Sequence, residues 1–311
     1  MSDVKKVATR ESYGNALVEL AKEYDNLLVL YADLAAATKT GIFKKAYPDR
    51  HIDCGIAECN MMGIAAGLAT TGKLPFVSTF AMFAAGRAFE QVRNSIGYPR
   101  LNVKIGATHA GLSVGEDGAT HQCNEDMALM RAIPGMVVIN PADDIEARAA
   151  VHAAAAHEGP VYLRFGRLAV PVINDRPDYK FEIGKGVLLK EGKDLTIVCT
   201  GLEVGQSLEA AKLLAADGID AEVINIHTIK PLDEELIVNS ARKTGKVVTV
   251  EEHSVIGGLG SAVCDALAAA APTRVMKIGI QDVFGESGPA VDLLHKYKLD
   301  AEGIYEQIKQ M

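Results

Sequence analysis

An α/β fold of two doubly wound domains is what this sequence predicts, and three observations predict it. Short apolar runs bounded by glycine, proline and polar residues alternate with stretches of helical periodicity along the chain. One stretch rich in proline and charge, residues 171–185, interrupts that alternation. The residues able to carry chemistry fall in loops directly after apolar runs, where open α/β sheets bind ligands. Domains are therefore expected at residues 1–170 and 186–311, with a linker at 171–185.

The elements follow in order. Tyr13, Leu17, Leu20 and Tyr24 recur at helical spacing and lead into a buried strand at 27–31. Further strands are expected at 51–54, 74–79, 101–107, 136–139 and 161–165. Helices are expected at 57–71, at 80–96, from about residue 124, and in the alanine-rich stretch after 139. In the second, smaller domain the strands are 195–199, 221–226, 247–251 and 274–280. Its helices are 206–216, one opened by Asp233, and one after the turn Gly257-Gly258-Leu259-Gly260. Such alternation implies right-handed crossovers and a mainly parallel sheet.

Composition removes several function classes. Of 311 residues, 49 % are hydrophobic and 23 % charged, which suits a globular chain rather than a disordered one. A net charge of −8 argues against a basic nucleic-acid face. Five cysteines, odd in number and without a C-x-x-C pair, argue against a disulfide framework or a zinc site and suit a reducing compartment. Met1-Ser-Asp-Val-Lys-Lys6 lacks the apolar core of a signal peptide, and the most apolar region, 61–85, is broken by Lys73 and Pro75. A cytoplasmic protein bound to neither membrane nor nucleic acid is expected.

Three segments concentrate candidate chemistry. Gly55-Ile-Ala-Glu58-Cys-Asn-Met61 joins a strand to a helix, where small residues permit close approach and the helix dipole favours a carboxylate. Phe80 and Phe83, three apart at the next strand-to-helix junction, share one helical face. The glycine-rich loop from Thr108 to Gln122 carries His109, Glu116, Asp117 and His121. Two histidines and an aspartate could ligate a metal, but their spacing matches no short ligand pair, so no metal site is expected. Arg10 and Arg167 offer planar guanidinium groups suited to a phosphate.

These segments resemble transketolases. The first is similar to G-I-A-E-Q-N-M, the second to the family's paired phenylalanines, and the third to T-H-x(5)-G-E-D-G-x-T-H-Q. The resemblance runs from about residue 5 to the end. It implies a thiamine-diphosphate pyrimidine-binding domain followed by a transketolase C-terminal domain. Glu58 would bond to a ring nitrogen of the cofactor's aminopyrimidine and promote its imino tautomer, while Phe80 and Phe83 would enclose that ring. Asp33 would reach toward the cofactor or the partner chain. His109 would help hold the sugar phosphate, Asp117 would contact a donor hydroxyl, and His121 would serve the substrate's hydroxyl and carbonyl region as a catalytic group. Arg10 and Arg167 would anchor the phosphate. Three positions depart from the pattern: Cys59 for glutamine, Gly86 for an aromatic stacker, and Ala37 for a phosphate-binding serine, which Thr38 or Lys39 would replace unless the acceptor differs.

The family's diphosphate and metal motif, G-D-G followed by asparagine, is not found here. The resemblance therefore implies a partner N-terminal subunit that carries the diphosphate-binding domain with Mg²⁺ or Ca²⁺, in an α₂β₂ assembly. The expected reaction is transfer of a two-carbon ketol unit between sugar phosphates. Alternatives are a deoxyxylulose-phosphate synthase-like subunit, disfavoured by Asn60, and a non-catalytic scaffold subunit, for which Glu58, Phe80, Phe83, His109, Asp117 and His121 would have no use. The beta chain of a 2-oxoacid dehydrogenase shares the domain order but not the histidine loop. The Gly257 turn is expected at a subunit contact bordered by His227, Glu251, Glu252 and His253.

Overall fold

Residues 5–311 are described by a computed structural model, so the expectation about a leader at the extreme N-terminus falls partly outside the described residues. Strand β1 (Lys6–Ala8) stands apart and pairs antiparallel with β8 (Ala169–Pro171). Between them lie β2 (Leu27–Tyr31), β3 (His51–Asp53), β4 (Leu74–Phe80), β5 (Lys104–Thr108), β6 (Val137–Ile139) and β7 (Val161–Arg164). The second half contributes β9 (Val187–Lys190), β10 (Leu195–Cys199), β11 (Ala221–Asn225), β12 (Thr228–Lys230), β13 (Lys246–Ser254) and β14 (Arg274–Ile280).

The larger sheet has the order β12-β6-β7-β5-β4-β2-β3, and every pair among β2 to β7 is parallel. The smaller runs β14-β13-β10-β11-β9, with only β9 antiparallel. Every residue of β4 and β5 is buried, as expected of parallel strands covered on both faces. Strand β12 lies in an unexpected place. It comes from the second half, yet it lies antiparallel on β6 and extends the first sheet. Three residues before Pro231 are too few to leave a periodic signal.

Helices of the first half are α1 (Thr9–Leu20), α2 (Gly41–Ala46), α3 (Glu58–Thr70), α4 (Phe89–Gln91), α5 (Asp126–Arg131) and α6 (Asp144–Ala156). Those of the second are α7 (Glu203–Ala216), α8 (Glu234–Thr244), α9 (Leu259–Ala270), α10 (Ala290–Lys296) and α11 (Ala301–Ile308). Tyr13, Leu17 and Leu20 of α1 pack with Val151 and Ala154 of α6, whereas Met61 and Met62 of α3 join Met127 and Met130 of α5 in a separate cluster. The helix expected over 80–96 is not uniform. Met82–Arg87 and Val92–Gly97 wind as wider π turns on either side of the single turn α4, a departure that recurs at functional sites.

At the Gly257 turn, Glu251, fully buried, accepts from the N–H groups of Leu259 (2.6 Å) and Gly260 (2.8 Å) at the start of α9. A Cβ on Gly258 would lie 2.0 Å from that carboxylate, so only glycine fits. Glu252, His253 and His227 are likewise buried inside the chain. Gly63 and Gly67 of α3 face open space: nothing lies within 4 Å of a Cβ built on either.

Candidate active site

The C-terminal ends of β3, β4 and β5 and the N-terminal end of α3 bring the candidate residues together. Backbone at Gly55, with φ of +69°, turns the chain from β3 toward α3, and Asp53 Oδ1 accepts from Gly55 N–H at 2.9 Å. The turn delivers Glu58 as the first residue of α3, where free N–H groups and the helix dipole favour its charge. Its side chain is 1 % exposed. Thr79, near the end of β4, directs its hydroxyl at Glu58 Oε1 over 3.5 Å, and Arg87 Nη1 donates to Oε2 at 2.7 Å.

An aromatic ledge continues from that carboxylate. The rings of Phe80 and Phe83 stack with centroids 5.8 Å apart, Phe80 stacks on His109 at 3.9 Å, and His121 meets Phe83 edge-on at 5.4 Å. His109 adopts a φ of +55° although it is not glycine, a strain that the surrounding contacts must sustain. Its Nε2 lies 3.0 Å from Arg10 Nη1. A guanidinium can only donate, so Nε2 accepts and the ring proton sits on Nδ1, donated to Thr108 Oγ1 at 2.9 Å. Burial, followed by the charges of Arg10, Arg167 and His121, holds the His109 pKa down to about 3. This ring is a fixed neutral group. His121, half-buried, places Nδ1 3.0 Å from Thr120 Oγ1, and its Nε2 makes no hydrogen bond among the described residues.

The arginines form the far end. Arg10 also donates to the Ala37 carbonyl at 2.8 Å, while its buried Nε has no partner. Burial and then the nearby Arg167 charge lower its pKa. Arg167 bonds the Val114 carbonyl and Glu116 Oε2, the latter at 2.8 Å. Two guanidinium groups that repel one another beside an unsatisfied N–H make a site an anion would stabilise.

Two predicted residues stand outside this cluster. Asp33, exposed with φ of +54°, meets the site only indirectly, its N–H donating to Asp53 Oδ1 at 3.3 Å. Asp117 is exposed on the histidine loop, and its side chain makes no hydrogen bond among the described residues. Thr38 cannot stand in for the serine expected at Ala37: it is fully buried, its hydroxyl directed to Leu34 O at 2.9 Å and Thr40 Oγ1 at 3.1 Å. A Cβ on Gly86 would lie 2.1 Å from Met82 Cε, so Met82 fills the space of the missing stacker. Arg87, which sequence reasoning passed over, sits with its guanidinium carbon 4.4 Å from the Phe83 ring centre. Nothing in a lone arginine of a helical stretch announces such a contact. Among the described residues no three His, Cys, Asp or Glu side chains group to hold a metal, and no helix is long and apolar enough to cross a membrane.

Known proteins resemble the chain over nearly its whole length. Residues 5–172 match the pyrimidine binding domain of transketolase and residues 184–304 its C-terminal domain. A protein of Methanocaldococcus jannaschii described as a transketolase C-terminal section is 51 % identical over 97 % of this chain and 95 % of its own. A 6-deoxy-6-sulfo-D-fructose transketolase subunit of Clostridium sp. is 45 % identical over 95 % of this chain and 91 % of its own. Among solved structures, a split gene transketolase described as an inactive beta4 tetramer superposes with a TM-score of 0.90 at 55 % identity, covering 98 % of both chains.

Proposed function

Because the chain belongs to the transketolase family, we propose that it is the C-terminal subunit of a two-subunit transketolase that uses thiamine diphosphate to move a two-carbon ketol unit between sugars ending in an anionic group. The observation that carries this reading is the buried Glu58 carboxylate at the edge of the Phe80–Phe83–His109–His121 ledge. An aminopyrimidine fits that donor set, with a carboxylate for a ring nitrogen and apolar rings for its faces. When bound, the cofactor supplies the nucleophilic carbon that no side chain offers.

The chain's own groups divide the remaining tasks. Glu58 holds negative charge at one atom in a water-poor setting, where it acts more strongly than in solution. His109, neutral and fixed by Thr108, orients Arg10 toward the anionic end of the sugar. His121, edge-on to Phe83, has Nε2 available to exchange a proton with a substrate hydroxyl. Arg10 and Arg167 fix the anionic terminus, so the reacting carbons are positioned by binding energy at a distance. Asp33 is assigned to the cofactor or partner chain, and Asp117 to a donor hydroxyl.

A partner N-terminal subunit would hold the diphosphate with Mg²⁺ or Ca²⁺ in an α₂β₂ assembly. The inactivity of the split gene transketolase solved as a beta4 tetramer supports this need for a second chain. The Clostridium relative, named for a sulfonated sugar, makes sulfonate as well as phosphate a candidate terminus, and Ala37 offers no hydroxyl to favour phosphate. Mixing this chain with such a partner, thiamine diphosphate and Mg²⁺ should give ketol transfer from a ketose phosphate to an aldose phosphate. Full activity with Glu58→Ala, or no transfer from any phosphorylated or sulfonated ketose, overturns the assignment.

A further inference from the structure

We propose that Arg87 is a displaceable counter-ion of Glu58, one that must turn away before the cofactor's ring can engage this carboxylate; the inference rests on the role of Glu58 proposed above. The two side chains are unequally placed. Glu58 is 1 % exposed and Arg87 48 % exposed, so the pair has a fixed inner member and an outer member with open solvent beside it. The bond is short, 2.7 Å, and Arg87 is the only ion-pair partner of Glu58 among the described residues. A carboxylate buried without a counter-charge is costly, which explains why the arginine folds inward.

That arrangement conflicts twice with engagement of an aminopyrimidine. Negative charge drawn to the guanidinium is withdrawn from any ring nitrogen that Glu58 bonds, which weakens the stabilisation of a protonated ring. The guanidinium also lies over the Phe83 face, 4.4 Å from its centre, where an aromatic ring would otherwise pack. One side chain thus covers both the carboxylate and part of the ledge.

Two of the three departures from the family pattern, Cys59 and Gly86, meet here. Cys59, standing for glutamine, donates its thiol to the Arg87 carbonyl at 3.4 Å. Gly86, standing for the aromatic stacker, directly precedes Arg87, and Met82 closes the space where a larger residue would project. Cys59 touches from α3, and Gly86 belongs to, the wide-turned segment Met82–Arg87, which ends by presenting Arg87 toward α3. A half-exposed cation beside the position of the missing aromatic wall makes Arg87 a positioning residue, acting through Glu58 rather than on the substrate.

The test measures thiamine diphosphate binding with Mg²⁺ to the complex of this chain and its partner, for the wild type, Arg87→Met and Arg87→Lys. Methionine keeps an apolar stem over Phe83 and removes the charge. Arg87→Met should bind about tenfold tighter, the equivalent of one charge-assisted hydrogen bond no longer to be broken, and Arg87→Lys should stay within about threefold of the wild type. Thermal denaturation of the free Arg87→Met subunit should show a lower midpoint, because Glu58 loses its counter-ion. In a Glu58→Gln background the affinity gain should vanish, a coupling that a merely structural role would not produce. Equal or weaker binding by Arg87→Met, with the wild type binding normally, overturns the counter-ion. Failure of every variant, wild type included, to bind thiamine diphosphate overturns the reading of Glu58 and the counter-ion with it.

Discussion

Glu58 and Glu146 are both buried carboxylates in the first turn of a helix, one beside the aromatic and histidine ledge, the other between the two sheets. Glu146 is fully served. It accepts from Ala142 N–H at 2.7 Å, from the Tyr179 hydroxyl at 2.8 Å and from Asn225 Nδ2 at 2.8 and 3.1 Å, tying α6, the linker and β11 together. Glu58 has one long contact from Thr79 and one bond from an arginine whose far side is in solvent. Burial is the same; the completeness of the hydrogen bonding differs. A closed set of donors marks a structural joint, and a half-open set leaves a carboxylate able to take a new partner.

The comparison breaks most visibly through substitution. Glu58→Gln keeps size and burial, and is expected to lower ketol transfer by about a hundredfold or more in the reconstituted complex without lowering the unfolding midpoint of the free chain. The structural joint should behave oppositely. Arg164 donates to Asp126 at 2.9 and 3.1 Å and to the Glu252 carbonyl at 2.9 Å, all buried between the two halves. Arg164→Met strands the Asp126 charge and should cost on the order of 3–5 kcal/mol in denaturant unfolding. If activity per folded molecule fell as far as with Glu58→Gln, the division between the two regions would be wrong.

Effects of pH sharpen the contrast. Burial pushes the Glu146 pKa up to about 7 from 4.5. The folded chain therefore keeps a proton that the unfolded chain has lost, so this contribution is full below about pH 4.5 and disappears as pH rises through 7. Measured against Glu146→Gln, the wild type should lose on the order of 3 kcal/mol of stability between pH 5 and pH 8. A flat difference would show that Glu146 is ionised throughout. At the other region, His109 is neutral across that range, so the pH profile of kcat/KM should contain no inflection that His109→Asn removes.

Smaller effects test the anion end and the unserved carboxylate. Arg10→Ala or Arg167→Ala should raise KM for a phosphorylated or sulfonated ketose by about ten- to thirtyfold with a smaller change in kcat. An unphosphorylated sugar should show little difference between variant and wild type. Glu203 is buried with neither carboxylate oxygen partnered, and burial drives its pKa well above the usual range. Burial thus favours its uncharged form, and Glu203→Gln should change stability by no more than about 1 kcal/mol. Lack of partners alone does not make a reactive group: Glu203 has no aromatic ledge beside it, and burial disfavours its ionised form.

How much of this was legible in the sequence depends on whether the signal was local. Strand 195–199 appears in full because a central parallel strand buried on both faces writes a nearly continuous apolar run, and the seven-residue edge strand 274–280, buried at its end, is long enough to be read as well. Strands β1, β8, β9 and β12 left no such trace, since three or four residues at an edge hold too little pattern. The cluster residues were legible through motif resemblance, which singles out Glu58, Phe80, Phe83, His109, His121, Arg10 and Arg167. Arg87, Thr79 and Met82 were not, because their roles arise from contacts across twenty or more residues or from a change in helical winding.

The most direct measurement is exchange of the thiazolium C2 proton of thiamine diphosphate for deuterium, followed by magnetic resonance in the complex of this chain with its partner. Exchange should be fast with the wild type, slowed by about a hundredfold or more with Glu58→Gln, and unchanged with Glu146→Gln under conditions where all three are folded. An equal exchange rate for the wild type and Glu58→Gln would contradict the account, because it would leave the half-open carboxylate with no part in the chemistry.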